Sequence, residues 1–244
     1  MLTISSGHYG KGTGAKDILD EGQETIYVVE QLRQKLLSSL VKSNIIIDRQ
    51  SKNQRENLNY IVAQHNATTR ELDVSIHFNS SGSRSTSGIG TEVLYVNPQL
   101  KPLAEKMSAA IAKASGLKNR GAKLRNNLAF LNGTNKPSIL IELCFVNSVE
   151  DVRLYEQNKD KIFSAIVSEL ENYSVPKNNL FSHPALYQKV YALFQDREQV
   201  RMQLQQGVEM GAFQRDWLDK FDRGVLTLID YIALTTLQFK KNNG

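Results

Sequence analysis

Residues 73–80 read D-V-S-I-H-F-N-S, and they decide how the rest of the chain is parsed. Val74, Ile76 and Phe78 fall on one side of a period-two pattern, with Ser75 and His77 on the other. That is the signature of a strand whose apolar face is buried. The strand ends on His77, a metal-capable side chain, with Asn79 just beyond. Two distant runs have the same form. Residues 2–10, L-T-I-S-S-G-H-Y-G, pass from a short apolar strand into a Gly-flanked His8. Residues 138–145, S-I-L-I-E-L-C-F, carry Glu142 inside an apolar run. If the three strands lie parallel in one sheet, their terminal side chains emerge at its carboxyl edge, where open α/β sheets place ligand sites. Glu21, which opens the first helix after His8, adds another carboxylate. Two imidazoles and a carboxylate around one ion, with a second carboxylate close by, is the make-up of a catalytic zinc site rather than a structural one.

Each of these residues also has a plainer explanation. Taken alone, either histidine reads as a hydrogen-bonded structural residue. His65 and His183 lie in helical or helix-start contexts without an acidic partner pattern and are assigned to structure or surface. Glu21 sits where the helix dipole favours acids anyway, and Glu24, one turn on, stands as the alternative third ligand. Glu142 resists such accounts. A run such as I-L-I-E-L-C-F is typical of a central strand buried on both faces. A carboxylate there costs several kcal/mol unless it is paired or bound to metal. Desolvation raises its pKa toward neutrality, which suits a general acid or base.

Outward from these strands, residues 1–173 alternate strand and helix patterns. Helices are expected at about 22–42, 54–70, from the Pro98/Pro102 region to Gly116, and at 156–172. Short strands are expected at 44–48 and 89–96, the latter after the serine- and glycine-rich loop S-S-G-S-R-S-T-S-G. The expected fold class is α/β, a twisted, largely parallel sheet with helices on both faces. Near S-V-P-K-N-N-L at 174–180 the pattern changes. Residues 183–240 show no strand alternation and read as helices broken near Gly207, Gly211 and Gly224. The expected domains are therefore 1–174, carrying the site, and a small all-helical 178–244. Trp217, with Phe213, Leu218 and Phe221, makes a cluster of the kind that usually forms a core.

The 244-residue chain is 41% hydrophobic and 23% charged, as soluble globular proteins are. Its net charge of +5 comes without a Lys/Arg run or aromatic–basic interleaving, so nucleic acid is not an expected partner. The bias would suit an anionic polymer surface. The single Cys144 excludes an internal disulfide and reads as a small buried hydrophobe. No apolar run approaches the ~18 residues of a membrane span. The N-terminal M-L-T-I-S-S-G-H has no secretory signal pattern, so the expectation is a protein made in the cytoplasm and released by other means.

Four elements in order carry a family resemblance: G-H-x-G, an L-x-E opening a helix, S-I-H-x-N, and I-E-L-x-F-V…E. Together with N-R-G-A-K-L at 119–124, they resemble the zinc-dependent N-acetylmuramoyl-L-alanine amidases of the amidase-3 type, found in bacterial wall hydrolases and phage endolysins. The likeness spans about residues 1–173. It implies one zinc ion per chain held by His8, Glu21 and His77, with Glu142 as catalytic acid–base. The implied substrate is peptidoglycan, cut between N-acetylmuramic acid and L-alanine, and Asn79, Arg120 and Asn147 are the implied substrate contacts. The chain departs from the pattern in having Ser5 and Ser6 where an acid often precedes G-H, Tyr9 where G-H-G-G is frequent, and Ser148 where an asparagine usually stands, with Asn147 one place earlier. These features fit a phage or prophage endolysin, made in the host cytoplasm and acting on the wall after release. A zinc peptidase cutting within the stem, or a non-catalytic wall-binding module, are the competing readings. The helical tail would bind an anionic or species-specific wall polymer, or instead pack or pair chains; the sequence leaves the oligomeric state open.

Overall fold

The computed structural model describes residues 1–37, 39, 41–174, 190 and 192–243. The chain divides into two compact units, Met1–Lys177 and Asn178–Gly244. Apart from Ser174, the expected connection at 174–180 lies outside the described residues, as does His183.

The first unit is built on one six-stranded sheet. Its strands are β1 (Leu2–Ser6), β2 (Ser43–Ile46), β3 (Leu72–Asn79), β4 (Thr91–Tyr95), β5 (Asn119–Leu124) and β6 (Ser138–Phe145), in the order β2-β1-β3-β6-β4-β5. Every neighbouring pair is parallel except β4 with β6. The sheet is thus mixed, and the three strands that carry His8, His77 and Glu142 are parallel neighbours at its centre. Its helices are α1 (Glu21–Leu37), α2 (Gln54–Ala67), α3 (Lys101–Ser115), α4 (Ala129–Gly133) and α5 (Val149–Ser174).

Strand alternation explains the layering. Leu2, Ile4, Val74, Ile76, Phe78, Ile139 and Ile141 point to one face and share a core with Val28 and Leu32 of α1, Met107 and Ile111 of α3, and Ile162 and Ile166 of α5. Leu94 and Leu140 point to the other face, against Ile61 of α2 and Phe130 and Leu131 of α4. The second face is mostly polar: Thr3, Ser5, Asp73, Ser75 and Ser138 are all buried there. His65, expected to be structural, lies under it. Its Nδ1 is 2.6 Å from Asp73, which also accepts two hydrogen bonds from Arg70. A buried charge pair of this kind persists because every oxygen is satisfied.

Several expectations need correction. The strand β5 and the short α4 were not expected. Helix α5 begins at Val149 rather than near 156 and bends at Asn158, whose φ of −126° and ψ of 16° are not helical. In the second unit, α6 (Arg197–Glu209), α7 (Asp216–Asp222) and α8 (Leu228–Asn243) pack Val200, Leu204, Leu218, Phe221, Tyr231 and Leu234 into a separate core. Gly207 does not break α6 but lies inside it, where the missing side chain lets the Phe213 ring close on the helix. Trp217 and Phe213 pack on that core, and the Lys220 ammonium lies 3.7 Å from the centre of the Trp217 ring.

Candidate active site

The site forms where β1, β3 and β6 reach the carboxyl edge of the sheet. After Ser6 the chain leaves β1 through Gly7 and His8 and loops to α1, whose first residue is Glu21. His77 lies near the end of β3. One ligand atom each from His8, Glu21 and His77 lies within 4.8 Å of the others. His8 Nε2 is 3.0 Å from Glu21 Oε1, and His77 Nδ1 is 3.1 Å from the same oxygen. The two rings meet edge to face, centroids 5.1 Å apart.

Backbone amides hold the carboxylate in place. Phe78 donates to Glu21 Oε1 at 3.0 Å and Ala15 donates to Oε2 at 2.6 Å. Burial alone would raise the Glu21 pKa, but the hydrogen bonds to His77 and His8 outweigh it and hold the acid well below the ordinary carboxylate range. Burial pushes the His77 pKa down, against the pull of Glu21. An ionised carboxylate beside a neutral imidazole is the state a metal ligand set needs. Gly14, at φ +74°, gives the loop room: a Cβ there would stand 2.5 Å from Glu21 Oε2 and 2.6 Å from His8 Nε2. Two imidazole nitrogens and one carboxylate oxygen, the carboxylate oriented by backbone donors, suit zinc in donor type and in outer-shell support of that carboxylate.

Glu24, the alternative ligand, points elsewhere. Its Oε1 accepts from Tyr155 Oη at 2.8 Å and Lys159 Nζ at 2.9 Å, joining α1 to α5. Glu142 lies on β6 in register with His77. The residue opens partly to solvent, yet its Oε2 is buried and meets no donor among the described residues. Burial, reinforced by the charges of Glu21 and then Glu92, raises its pKa well above the ordinary value.

Glu92 was not singled out in the sequence. It stands opposite Glu142 in the antiparallel β4–β6 pair and is buried. Its Oε1 accepts from Asn79 Nδ2 at 3.1 Å and its Oε2 from Arg120 Nε at 2.7 Å. Asn79 also accepts from the Ser80 amide, so both ends of its side chain are held. Asn147 faces inward and is 1% exposed. Its amide bonds Ser81 and Ser83, and it braces the serine loop after β3 rather than facing the open edge. Arg84 of that loop pairs with Asp17 of the loop after β1.

With this geometry in hand, the sequence pattern of the N-acetylmuramoyl-L-alanine amidase family (Amidase_3) matches residues 2–172. The chain belongs to that family. Among curated relatives, an uncharacterised protein of Clostridium perfringens is 28% identical over 182 residues, 73% of this chain and 53% of that protein. A probable cell wall amidase of Staphylococcus saprophyticus is 26% identical over 175 residues, 70% of this chain and 57% of its own length. The chain thus spans about half the length of the curated relatives it matches. Among solved structures, the catalytic domain of an endolysin targeting Clostridia difficile is similar at TM-score 0.63 and 26% identity, covering 70% of this chain and 96% of that one. An N-acetylmuramoyl-L-alanine amidase of Nostoc punctiforme is similar at TM-score 0.57 and 26% identity, covering 71% and 96%. No helix among the described residues is long and apolar enough to cross a membrane.

Proposed function

We propose that the first unit is a zinc-dependent amidase that hydrolyses the bond between the lactyl group of N-acetylmuramic acid and L-alanine in peptidoglycan. One observation carries the reading: His8, Glu21 and His77 converge at the carboxyl edge, with Glu142, whose Oε2 meets no donor among the described residues, one strand away. Family membership supports the substrate class. His8 Nε2, His77 Nδ1 and a Glu21 oxygen would hold the ion. Zinc there supplies Lewis acidity, polarising the scissile carbonyl and acidifying water. Glu142 takes the proton of the attacking water and delivers it to the leaving amine, a task that its raised pKa favours. Without that delivery the amine would have to depart as an anion. Glu21, fixed by the amides of Phe78 and Ala15, would keep its carboxylate oriented for the ion.

The likeness to an endolysin catalytic domain supports a lytic role on bacterial walls, as for a phage or prophage enzyme released from its host cell. The second unit, with a core of its own, would tether the enzyme to an anionic or species-specific wall polymer.

The test is product analysis on purified walls. An amidase frees L-alanine amino termini and leaves muramic acid intact; chelator abolishes the release and added Zn²⁺ restores it. New amino termini inside the stem would make the protein a peptidase. Binding to walls without release would make it a non-catalytic module.

A further inference from the structure

Across the sheet edge the functional groups stand in strand order. His8 follows β1, His77 is on β3, Glu142 on β6, Glu92 on β4 and Arg120 on β5. Arg120 is held unusually well for a residue on an edge strand. Its Nε donates to the buried Glu92 at 2.7 Å, and its guanidinium carbon lies 5.0 Å from the centre of the Phe145 ring, on β6. The head therefore leans back across β4 toward the Glu142 strand. A local bulge aims it there. Thr91 pairs with Asn119 and Val93 with Ala122, so β5 fits one more residue than β4 between the two pairings, at Arg120–Gly121. Gly121, at φ +77°, adopts the left-handed conformation such a bulge uses. Among the described residues, no acceptor meets the two terminal guanidinium nitrogens, and the side chain is 33% exposed, so solutes can reach it.

We propose that Arg120, aimed by Glu92 and the Gly121 bulge, is a subsite for a carboxylate on the peptide side of the substrate. The inference rests on the amidase reading and adds a specificity to it. Glu142 hands its proton to the leaving nitrogen, and Glu142 lies between the metal donors and Arg120. The departing peptide must then extend toward β4 and β5, and the glycan toward β1. Two extended residues span about 7 Å, and β6 to β5 is about 10 Å at ordinary strand spacing. The Arg120 head closes part of that distance, so the carboxylate belongs to the second stem residue. A planar fork with Nε occupied and both terminal groups available matches a carboxylate in two parallel hydrogen bonds. Glu92 is a positioning residue here, neutralising the buried end of the pair while leaving the outward edge cationic.

The test uses the zinc-loaded full chain and two soluble probes, N-acetylmuramoyl-L-alanyl-D-glutamate with its α-carboxylate free and the same compound as the carboxamide. The expected kcat/KM ratio of acid to carboxamide is roughly 10- to 100-fold in the wild type, the size of one charge-assisted pair. Most of that should lie in KM. In Arg120→Ala the ratio should fall to about one, and Arg120→Lys should recover only part of it, since the fork is lost. The ratio is taken within one protein sample, so partial misfolding of a variant cancels. A wild type that cuts acid and carboxamide equally, or an Arg120→Ala that keeps the preference, overturns the subsite while leaving the amidase reading intact. A wild type that cuts neither probe, nor any muramoyl-peptide, overturns the amidase reading and this inference with it.

Discussion

Glu142→Gln separates chemistry from stability, because its two expected effects have opposite signs. In the fold, Oε2 of Glu142 is buried and meets no donor among the described residues. Burial and the nearby Glu21 and Glu92 charges raise the folded pKa well above the reference value of 4.5. A carboxyl whose folded pKa exceeds its unfolded one binds its proton more tightly in the folded state. Its contribution to stability is therefore fully present below the unfolded pKa, near 4.5, and is lost as pH rises through the folded pKa. Each unit of difference is worth about 1.4 kcal/mol, and a buried group left without its hydrogen bond costs about 1–3 kcal/mol. Glutamine has the same shape and no charge. The variant should therefore be more stable than the wild type by about 1–3 kcal/mol at about pH 8, with the gap closing at about pH 4. Chelator must be present, since a bound dication would favour the carboxylate. Urea unfolding followed by tyrosine near-UV dichroism reports mainly on the first unit, which holds six of the nine tyrosines. The only tryptophan, Trp217, lies in the second unit and serves as an internal control. With zinc restored, cleavage by the variant should fall by about 10²–10⁴-fold, as for lost acid–base catalysis. A folded Glu142→Gln that is less stable than the wild type at the higher pH would refute the desolvation argument. Wild-type cleavage by it would remove Glu142 from the chemistry.

His8→Ala, His77→Ala and Glu21→Ala should each bring bound zinc, measured by elemental analysis, well below stoichiometric. Glu24→Ala should keep its zinc and instead lose about 1–3 kcal/mol of stability through the freed Tyr155 and Lys159; the reverse pattern would move the third ligand one turn along α1. Gly14→Ala combines left-handed strain with a methyl pressed against Glu21 and His8, so it should weaken zinc binding while the fold, checked by circular dichroism, persists. A chain ended at Lys177 should cleave soluble muropeptides like the full protein yet lyse whole cells more slowly, because a tethered second contact is gone; insolubility of that chain would mean the second unit belongs to its core.

What the sequence made legible follows from where burial forces a choice. Val74, Ile76 and Phe78 have a single way to face a core, so β3 and the position of His77 are fixed by period two. Glu142 was conspicuous because apolar neighbours leave a carboxylate no ordinary reason to be there. The edge of the sheet offered no such constraint. Asn119–Leu124 has no apolar alternation and is half-exposed along its length, and its pairing with β4 is made by backbone groups common to any sequence. Missing that strand also hid Glu92, since in T-E-V-L-Y an acid on the alternate positions reads as a solvent-facing residue. It is buried because Arg120, on the unseen strand, and Asn79 cover it. Asn147 shows a different limit: its place near Glu142 suggested a substrate contact, and spacing carries no information on whether such an amide also binds the loop beside it, as this one does. The residues hardest to read were thus those whose partners come from another strand. The same fact bears on specificity: His77 and Glu142 lie on strands that their own apolar faces define, whereas the Glu92–Arg120 pair exists only through the β4–β5 pairing and its bulge. Substitutions along that edge can therefore change which peptide is accepted without disturbing the centre that would cut it.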